Sequence, residues 1–243
     1  MKLFAIDTAL AAASVAIWAD GAVVHIESLA LERGHADKAP PLAKAAFAAT
    51  GLAVRDMDRI AVTVGPGSFT GLRAGLAFAR GLALGTGDGG AALPVVGVTT
   101  LQAFAAMAPP ASETEAVLAV IDAKRGEVFF QMFEGETDAP LTAPAAAAPE
   151  TVKAEALAAA EGRPLRLTGS AAIEMAALLQ AAGAPVTVAN AEGAPDIAAV
   201  ARWAAGAPAP TGPPEPVYLR PPDAKPQAPS ALALSVEGAK KPQ

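Results

Sequence analysis

The chain has 243 residues, enough for one large domain or two small ones, and either can bury a substantial core. It contains no Cys and two His, which excludes a disulfide framework or a thiolate zinc site and leaves little for an imidazole metal cluster. Lys and Arg number 18 against 24 Asp and Glu, a net charge of −6 with a pI near 5.0, so no global basic field draws nucleic acid or an anionic membrane.

Hydrophobic content is 53%, but much of it is Ala, and no apolar run reaches the 18 residues of a membrane span. The segment Ala74 to Gly85 carries Arg80 near its middle, and the chain starts directly on a strand pattern. The expectation is a cytoplasmic protein with no secretory signal and no membrane contact.

Lys2 to Asp7 is a short run of strand formers, closed by Thr8 and a small-residue turn. Ala13 to Ala19 and Ala22 to Leu29 are apolar runs split by Asp20-Gly21, a strong hairpin signal, so the opening reads as a three-stranded β-meander. His35 to Thr50 places Leu42, Ala46 and Ala49 on one helical stripe and ends at Gly51, where a left-handed cap fits. Pro40 and Pro41 remove helical donors, so that helix starts at the prolines or kinks there. Arg59 to Val64 reads as a buried strand, followed by Gly65-Pro-Gly-Ser-Phe-Thr-Gly71 and a helix from Leu72 to Gly85. Gly71, Gly75 and Ala79 recur every four residues, as do Ala77, Gly81 and Gly85, and both stripes admit a close neighbour. Pro94 to Val98 is a further strand, and Thr99 or Thr100 caps a short helix to Met107. This order implies a mixed sheet covered by helices.

Ala116 to Asp122 and Glu127 to Phe133 pair around Ala123-Lys-Arg-Gly126, and Ala139 to Pro149 reads as a linker. Helices over Thr151 to Glu161, Ser170 to Ala182 and Asp196 to Ala205 alternate with strands over Leu165 to Thr168 and Val186 to Val188. From Pro208 the tail holds ten of the 22 prolines and is expected to be extended or disordered, with Pro216-Val-Tyr-Leu-Arg220 as the part that docks.

The glycine loop joins a strand to a helix, so its N–H groups suit an anion, but the spacing matches neither a P-loop nor the dinucleotide fingerprint, and Asp88 sits in a Gly-rich loop. A tight turn capped by Ser68 or Thr70 is the other reading. Asp7-Thr8 is either a phosphate contact or a turn former. His25 and His35 lie ten apart with no ligand-spaced partner, and no nucleophile elbow is present. The Asp122 to Gly126 turn offers two cations for phosphate or is simply solvated.

The motifs in series are more specific than any one. Ala5-Ile-Asp-Thr8, Ser14-Val-Ala-Ile-Trp18, His35 ahead of Pro41, Val64-Gly-Pro-Gly-Ser-Phe-Thr-Gly-Leu-Arg73, Gly81-Leu-Ala-Leu84, Val95-Val-Gly-Val-Thr-Thr-Leu101, Asp122-Ala-Lys-Arg-Gly-Glu-Val128 and Pro216-Val-Tyr-Leu-Arg220 occur in this order. Together they resemble the TsaB (YeaZ) family, the accessory subunit of bacterial tRNA threonylcarbamoyladenosine synthesis. The match is close over the first 130 residues and looser beyond.

The resemblance implies an α/β, actin-like and sugar-kinase-like (ribonuclease H-like) fold of two lobes: residues 1–108, residues 109–206, and a tail over 207–243. It implies a non-catalytic subunit that binds a TsaD-like catalytic paralogue, works with a TsaE-like ATPase, and meets tRNA indirectly through the complex. ATP or ADP and metal are expected on those partners, with no cofactor and no metal site here. Weak phosphate positions would be Asp7, Thr8, Gly65, Gly67 and Ser68. The partner surface would use the helices His35 to Thr50 and Thr70 to Gly85, through His35, Leu42, Thr70, Gly71, Arg73, Ala74, Gly75, Phe78 and Gly81. One departure is that Pro40 precedes Pro41 and that Ala39, Ala43 and Ala46 replace large apolar residues. The alternatives are a stand-alone nucleotide-binding kinase or ATPase of the same fold, with Leu167-Thr-Gly-Ser170 as its second phosphate loop, and a homodimer formed when the partner is missing.

Overall fold

The computed structural model describes residues 1–30, 37–85, 92–108, 114–135 and 139–220. The chain opens with β1 (Leu3–Asp7), β2 (Ala12–Ala19) and β3 (Ala22–Ala30), an antiparallel meander. Asp20 and Gly21 both take positive φ, 52° and 87°, the backbone that a two-residue type I′ hairpin needs. Beyond β1, β4 (Arg59–Gly65) and β5 (Val95–Thr99) add in parallel, giving a five-stranded sheet in the order β3-β2-β1-β4-β5.

The second half repeats this plan. Strands β6 (Ala116–Lys124), β7 (Glu127–Glu134) and β8 (Ala145–Ala147) are antiparallel, and β9 (Leu165–Thr168) and β10 (Val186–Val188) extend β6 in parallel. The order β8-β7-β6-β9-β10 is that of the first sheet, element for element. Strand β8 falls in the stretch read as a linker. Alanine is a weak strand former, and pairing of Ala145–Ala147 with Phe130–Val128 overrides that preference.

Helices α1 (Ala39–Thr50) and α2 (Phe69–Leu84) cover one face of the first sheet, burying Phe4, Ile6, Val15, Ile17, Ile60 and Val62 against Ala39, Ala43, Ala46, Leu76 and Ala79. Helix α1 begins at the prolines, which the first turn tolerates, and Gly51 ends it at φ 67°. Its inward stripe is Ala39, Ala43 and Ala46, while Ala49 is exposed, so the expected phase is corrected by a partial turn. Helices α4 (Pro149–Ala160) and α5 (Ala172–Ala181) do the same work on the second sheet around Leu118, Phe130, Met132 and Leu167.

The third helix of each half is exchanged. Helix α3 (Thr100–Ala105) follows β5, is capped by Thr99 with a reciprocal bond from Gln102, and sets Leu101 and Phe104 against Val117, Ala119, Ile121 and Phe133 of the second sheet. Helix α6 (Ile197–Gly206) follows β10 but packs Ile197, Val200 and Ala204 on Leu3, Ala5, Ala61 and Val98 of the first sheet. Arg59 Nη1 donates to the Ala204 and Ala207 carbonyls at 3.1 and 2.8 Å. The residues expected to end the second lobe thus complete the first, because the apolar back of sheet 1 needs a cover. We use lobe 1 for sheet 1 with α1, α2 and α6, and lobe 2 for sheet 2 with α3, α4 and α5. Part of the presumed free tail is also placed: residues 208–220 run over the fold, and 221–243 lie outside the described residues.

Candidate functional site

Open α/β sheets bind ligands beyond the carboxyl ends of their strands, where the chain order reverses. In lobe 1 that point lies between Asp7, ending β1, and Gly65, ending β4. Asp7 is fully buried, and its Oδ1 accepts from the Thr63 hydroxyl at 2.5 Å and from the Ala9 N–H at 3.0 Å. The Thr8 hydroxyl donates to the Gly71 carbonyl at 2.8 Å. The Ser68 N–H donates to the Ala9 carbonyl at 2.7 Å, and Ser68 Oγ caps α2 by accepting from the Gly71 N–H at 3.3 Å. A Cβ on Gly67 would strike the Ala9 carbonyl oxygen, one on Gly71 the Thr8 carbonyl oxygen, and one on Gly75 the Thr8 hydroxyl.

These contacts show what the glycines do. They admit the β1–β2 connection onto the start of α2, and two of the loop's donors, the Ser68 and Gly71 N–H groups, are turned to the Ala9 carbonyl and the Ser68 hydroxyl. Asp7, Thr8, Gly65, Gly67 and Ser68 are thus brought together at the strand ends, with Asp7, Thr8 and Ser68 hydrogen-bonded within the chain. The capped-turn reading describes the loop, with Ser68 as the cap.

The expected partner residues divide by the phase of α2. Gly71 and Gly75 are buried and face Thr8, so they are corrected to internal contacts. Thr70, Arg73 and Gly81 are exposed, whereas Leu42, Ala74 and Phe78 are half-buried. His35 lies outside the described residues, as does Asp88. The outward small stripe is Ala77, Gly81 and Gly85, and a Cβ on Gly81 would meet open space. Beside it, the Arg73 guanidinium lies 3.8 Å above the Phe69 ring, and Phe69 lies 5.3 Å from Tyr218. Phe69, Leu84 and Tyr218 are among the large apolar side chains left in solvent, as are Val24, Ile26 and Leu29 on β3. Sequence reasoning missed Phe69, whose exposure follows only from the helix phase that Ser68 sets.

In lobe 2 the Ala123 to Gly126 turn is tight, with Lys124, Arg125 and Gly126 all at positive φ. Asp122 accepts from the Lys124 N–H at 2.7 Å and pairs with its ammonium at 2.6 Å. The Lys124 hydrogen bond holds the Asp122 carboxyl below its ordinary range, against a smaller opposing effect of burial. His25 pairs with Glu27 at 2.9 Å on β3. No group of three or more His, Asp or Glu that could hold a metal occurs among the described residues, and none of their helices is long and apolar enough to cross a membrane.

Two mixed five-stranded sheets of one strand order, each covered by helices, define a two-lobed α/β protein. The family model described as TsaD, tRNA N6-adenosine threonylcarbamoyltransferase, matches residues 29–199. The chain is 41% identical over 135 residues to the tRNA threonylcarbamoyladenosine biosynthesis protein TsaB of Escherichia coli (strain K12), covering 55% of each chain. It is 36% identical over 199 residues to an uncharacterised protein of Mycobacterium tuberculosis (strain ATCC 25618 / H37Rv), 81% of this chain and 80% of that one. It also superposes, with a TM-score of 0.68 and 25% identity, on the crystal structure of an uncharacterised Pseudomonas aeruginosa protein with similarity to peptidase YeaZ, covering 90% of this chain and 99% of the other. The chain belongs to the TsaB (YeaZ) family, within the wider group that the TsaD model describes. The aligned stretch spans 55% and 52% of the length of the TsaB proteins of Escherichia coli and Haemophilus influenzae.

Proposed function

We propose that this chain is the non-catalytic subunit of the machinery that makes threonylcarbamoyladenosine in tRNA, acting in the cytoplasm by docking on a TsaD-like paralogue through the outer face of α2. The observation that carries this reading is the uneven surface: Val24, Ile26, Leu29, Phe69, Leu84 and Tyr218 are exposed on lobe 1 and its covering segment, whereas the described part of lobe 2 exposes Ile173 and Val188. Ala77, Gly81 and Gly85 lower the α2 surface so that a partner helix can approach to the short end of the roughly 8–10 Å packing range. Transfer of the threonylcarbamoyl group to adenosine then belongs to the partner, consistent with two His ten residues apart and no His pair at helical spacing. A net charge of −6 fits a subunit that reaches tRNA through others, with a TsaE-like ATPase joining the pair and nucleotide and metal held by those partners.

The test is co-expression with the TsaD-like paralogue, followed by size-exclusion chromatography with light scattering. The reading predicts a one-to-one complex from the native chain and separate species from Gly81→Arg at unchanged circular dichroism. Separate species from the native chain, with and without nucleotide, would overturn it.

A further inference from the structure

The segment from Pro210 to Arg220 is anchored at one point after another along a path from lobe 1 to lobe 2. Arg80 donates to the Pro214 carbonyl, and Pro214 lies against the place a Cβ on Gly97 would take. The Val217 N–H donates to the Val64 carbonyl at 2.7 Å, and the Val217 carbonyl lies where a Cβ on Gly65 would fall. Tyr218 packs on Phe69, and its hydroxyl accepts from Arg73 Nε at 3.0 Å. Leu219 joins Leu10 of the β1–β2 connection on the cluster built from Leu101, Phe104, Ile121 and Phe133. Arg220 ends the path: its Nη1 donates to the Ala123 carbonyl at 2.7 Å and its Nη2 to the Lys124 carbonyl at 3.0 Å, and it pairs with Glu127 and lies 5.4 Å from the Phe129 ring centroid.

This path crosses the carboxyl end of β4 in lobe 1 and reaches that of β6 in lobe 2, the positions at which a sheet of this kind receives a ligand. We propose that Pro216–Arg220 is a built-in strap that locks the two lobes together and fills the mouth of the cleft, so that the chain is closed to nucleotide by its own C-terminal segment. Glycine supports the same assignment, because the strap's Val217 carbonyl lies over Gly65 where a side chain would fall, and Pro214, just ahead of the strap, lies likewise over Gly97. The hydrogen bonds of Asp7, Thr8 and Ser68 within the chain are the second half of the picture, since they line the mouth over which the strap lies.

A chain without Cys makes the test direct. Ala123 is 7% exposed and its carbonyl receives Arg220, so Ala123→Cys places one buried thiol at the far anchor of the strap. The strap is then loosened at its lobe 1 end only, by Val217→Pro, which removes the N–H to Val64, together with Tyr218→Ala. Labelling by a soluble disulfide reagent should be at least about tenfold faster in the loosened full chain, a change of about 1.4 kcal/mol in the opening equilibrium. An exposed Ala48→Cys should label at one rate in both backgrounds. Equal rates at Ala123→Cys would overturn the strap as a single unit. Calorimetry of the native chain with magnesium–ADP should show no binding at micromolar concentration, and a micromolar Kd would overturn closure of the cleft. If the double variant loses its circular dichroism, Val217→Pro alone in the same Ala123→Cys background decides the matter by the same rates.

Discussion

The two lobes share a strand order and a helix plan, but they treat the ends of their strands differently. In lobe 1 the β1–β2 connection runs from Thr8 to Ala11, long enough to need shelter, and Gly67, Gly71 and Gly75 provide it. In lobe 2 the β6–β7 connection closes within Arg125-Gly126, nothing needs shelter, and α5 contains no glycine. There a close approach falls to Gly169, at φ 104° against the Val120 carbonyl. The outer surfaces differ in the same sense, with aromatic and aliphatic side chains exposed mainly on lobe 1. The common architecture sets the core, and the asymmetry laid over it is the basis on which docking is proposed for the lobe 1 side.

The largest effect should come from the cores of the two lobes. Phe4→Ala and Phe130→Ala each remove a fully buried ring and should cost about 3–5 kcal/mol. Because α3 and α6 are exchanged, calorimetry should show one transition moved down in both variants. Two resolved transitions would show that the lobes are thermally independent. Gly75→Leu comes next, at about 3 kcal/mol, since the new side chain meets the Thr8 hydroxyl. Ala177→Leu on the exposed face of α5 should stay within about 0.5 kcal/mol, and an equal loss there would remove the distinction between the helices.

Gly81→Leu sharpens the comparison from the outside. It replaces an exposed helical glycine, so chemical denaturation should show the monomer stabilised by up to about 1 kcal/mol while docking is lost. Asp122→Asn should be the smallest effect, under about 0.5 kcal/mol at neutral pH, because its pair with Lys124 is largely in solvent. The carboxyl is held low in the folded chain, so its contribution is present above the ordinary value of about 3.9 and fades as pH falls through the lowered one. A stability difference between native and Asp122→Asn chains that grew on acidification would contradict that sign.

Much of the fold was legible in the sequence. Asp20-Gly21 announced the hairpin, Pro40 and Gly51 bracketed α1, and Thr99 was one of the two caps offered for the start of α3. The alanine strand β8 was not, because its partner on β7 and not its own propensity makes it a strand. Nor was the exchange of α6, since an apolar stripe says that it is covered but not by which sheet. At the site, the small residues of α2 were visible but their phase was not: two stripes of small residues run along one helix, and only the position of Ser68 and Thr8 decides that Gly71 and Gly75 point inward while Ala77 and Gly81 point out. Docking of Pro216 to Arg220 was anticipated, but the lobes that it joins became clear only from the Val64 and Ala123 carbonyls.

The central claim is that the partner reads lobe 1 and not lobe 2. It is tested most directly by titrating the TsaD-like paralogue into native, Gly81→Arg and Ile173→Asp chains in a calorimeter, the last two altering one exposed position on each lobe. The account predicts native affinity for Ile173→Asp and a loss of at least about 100-fold, roughly 2.7 kcal/mol, for Gly81→Arg. Undiminished binding by Gly81→Arg, or its loss in Ile173→Asp with the fold intact, would contradict it.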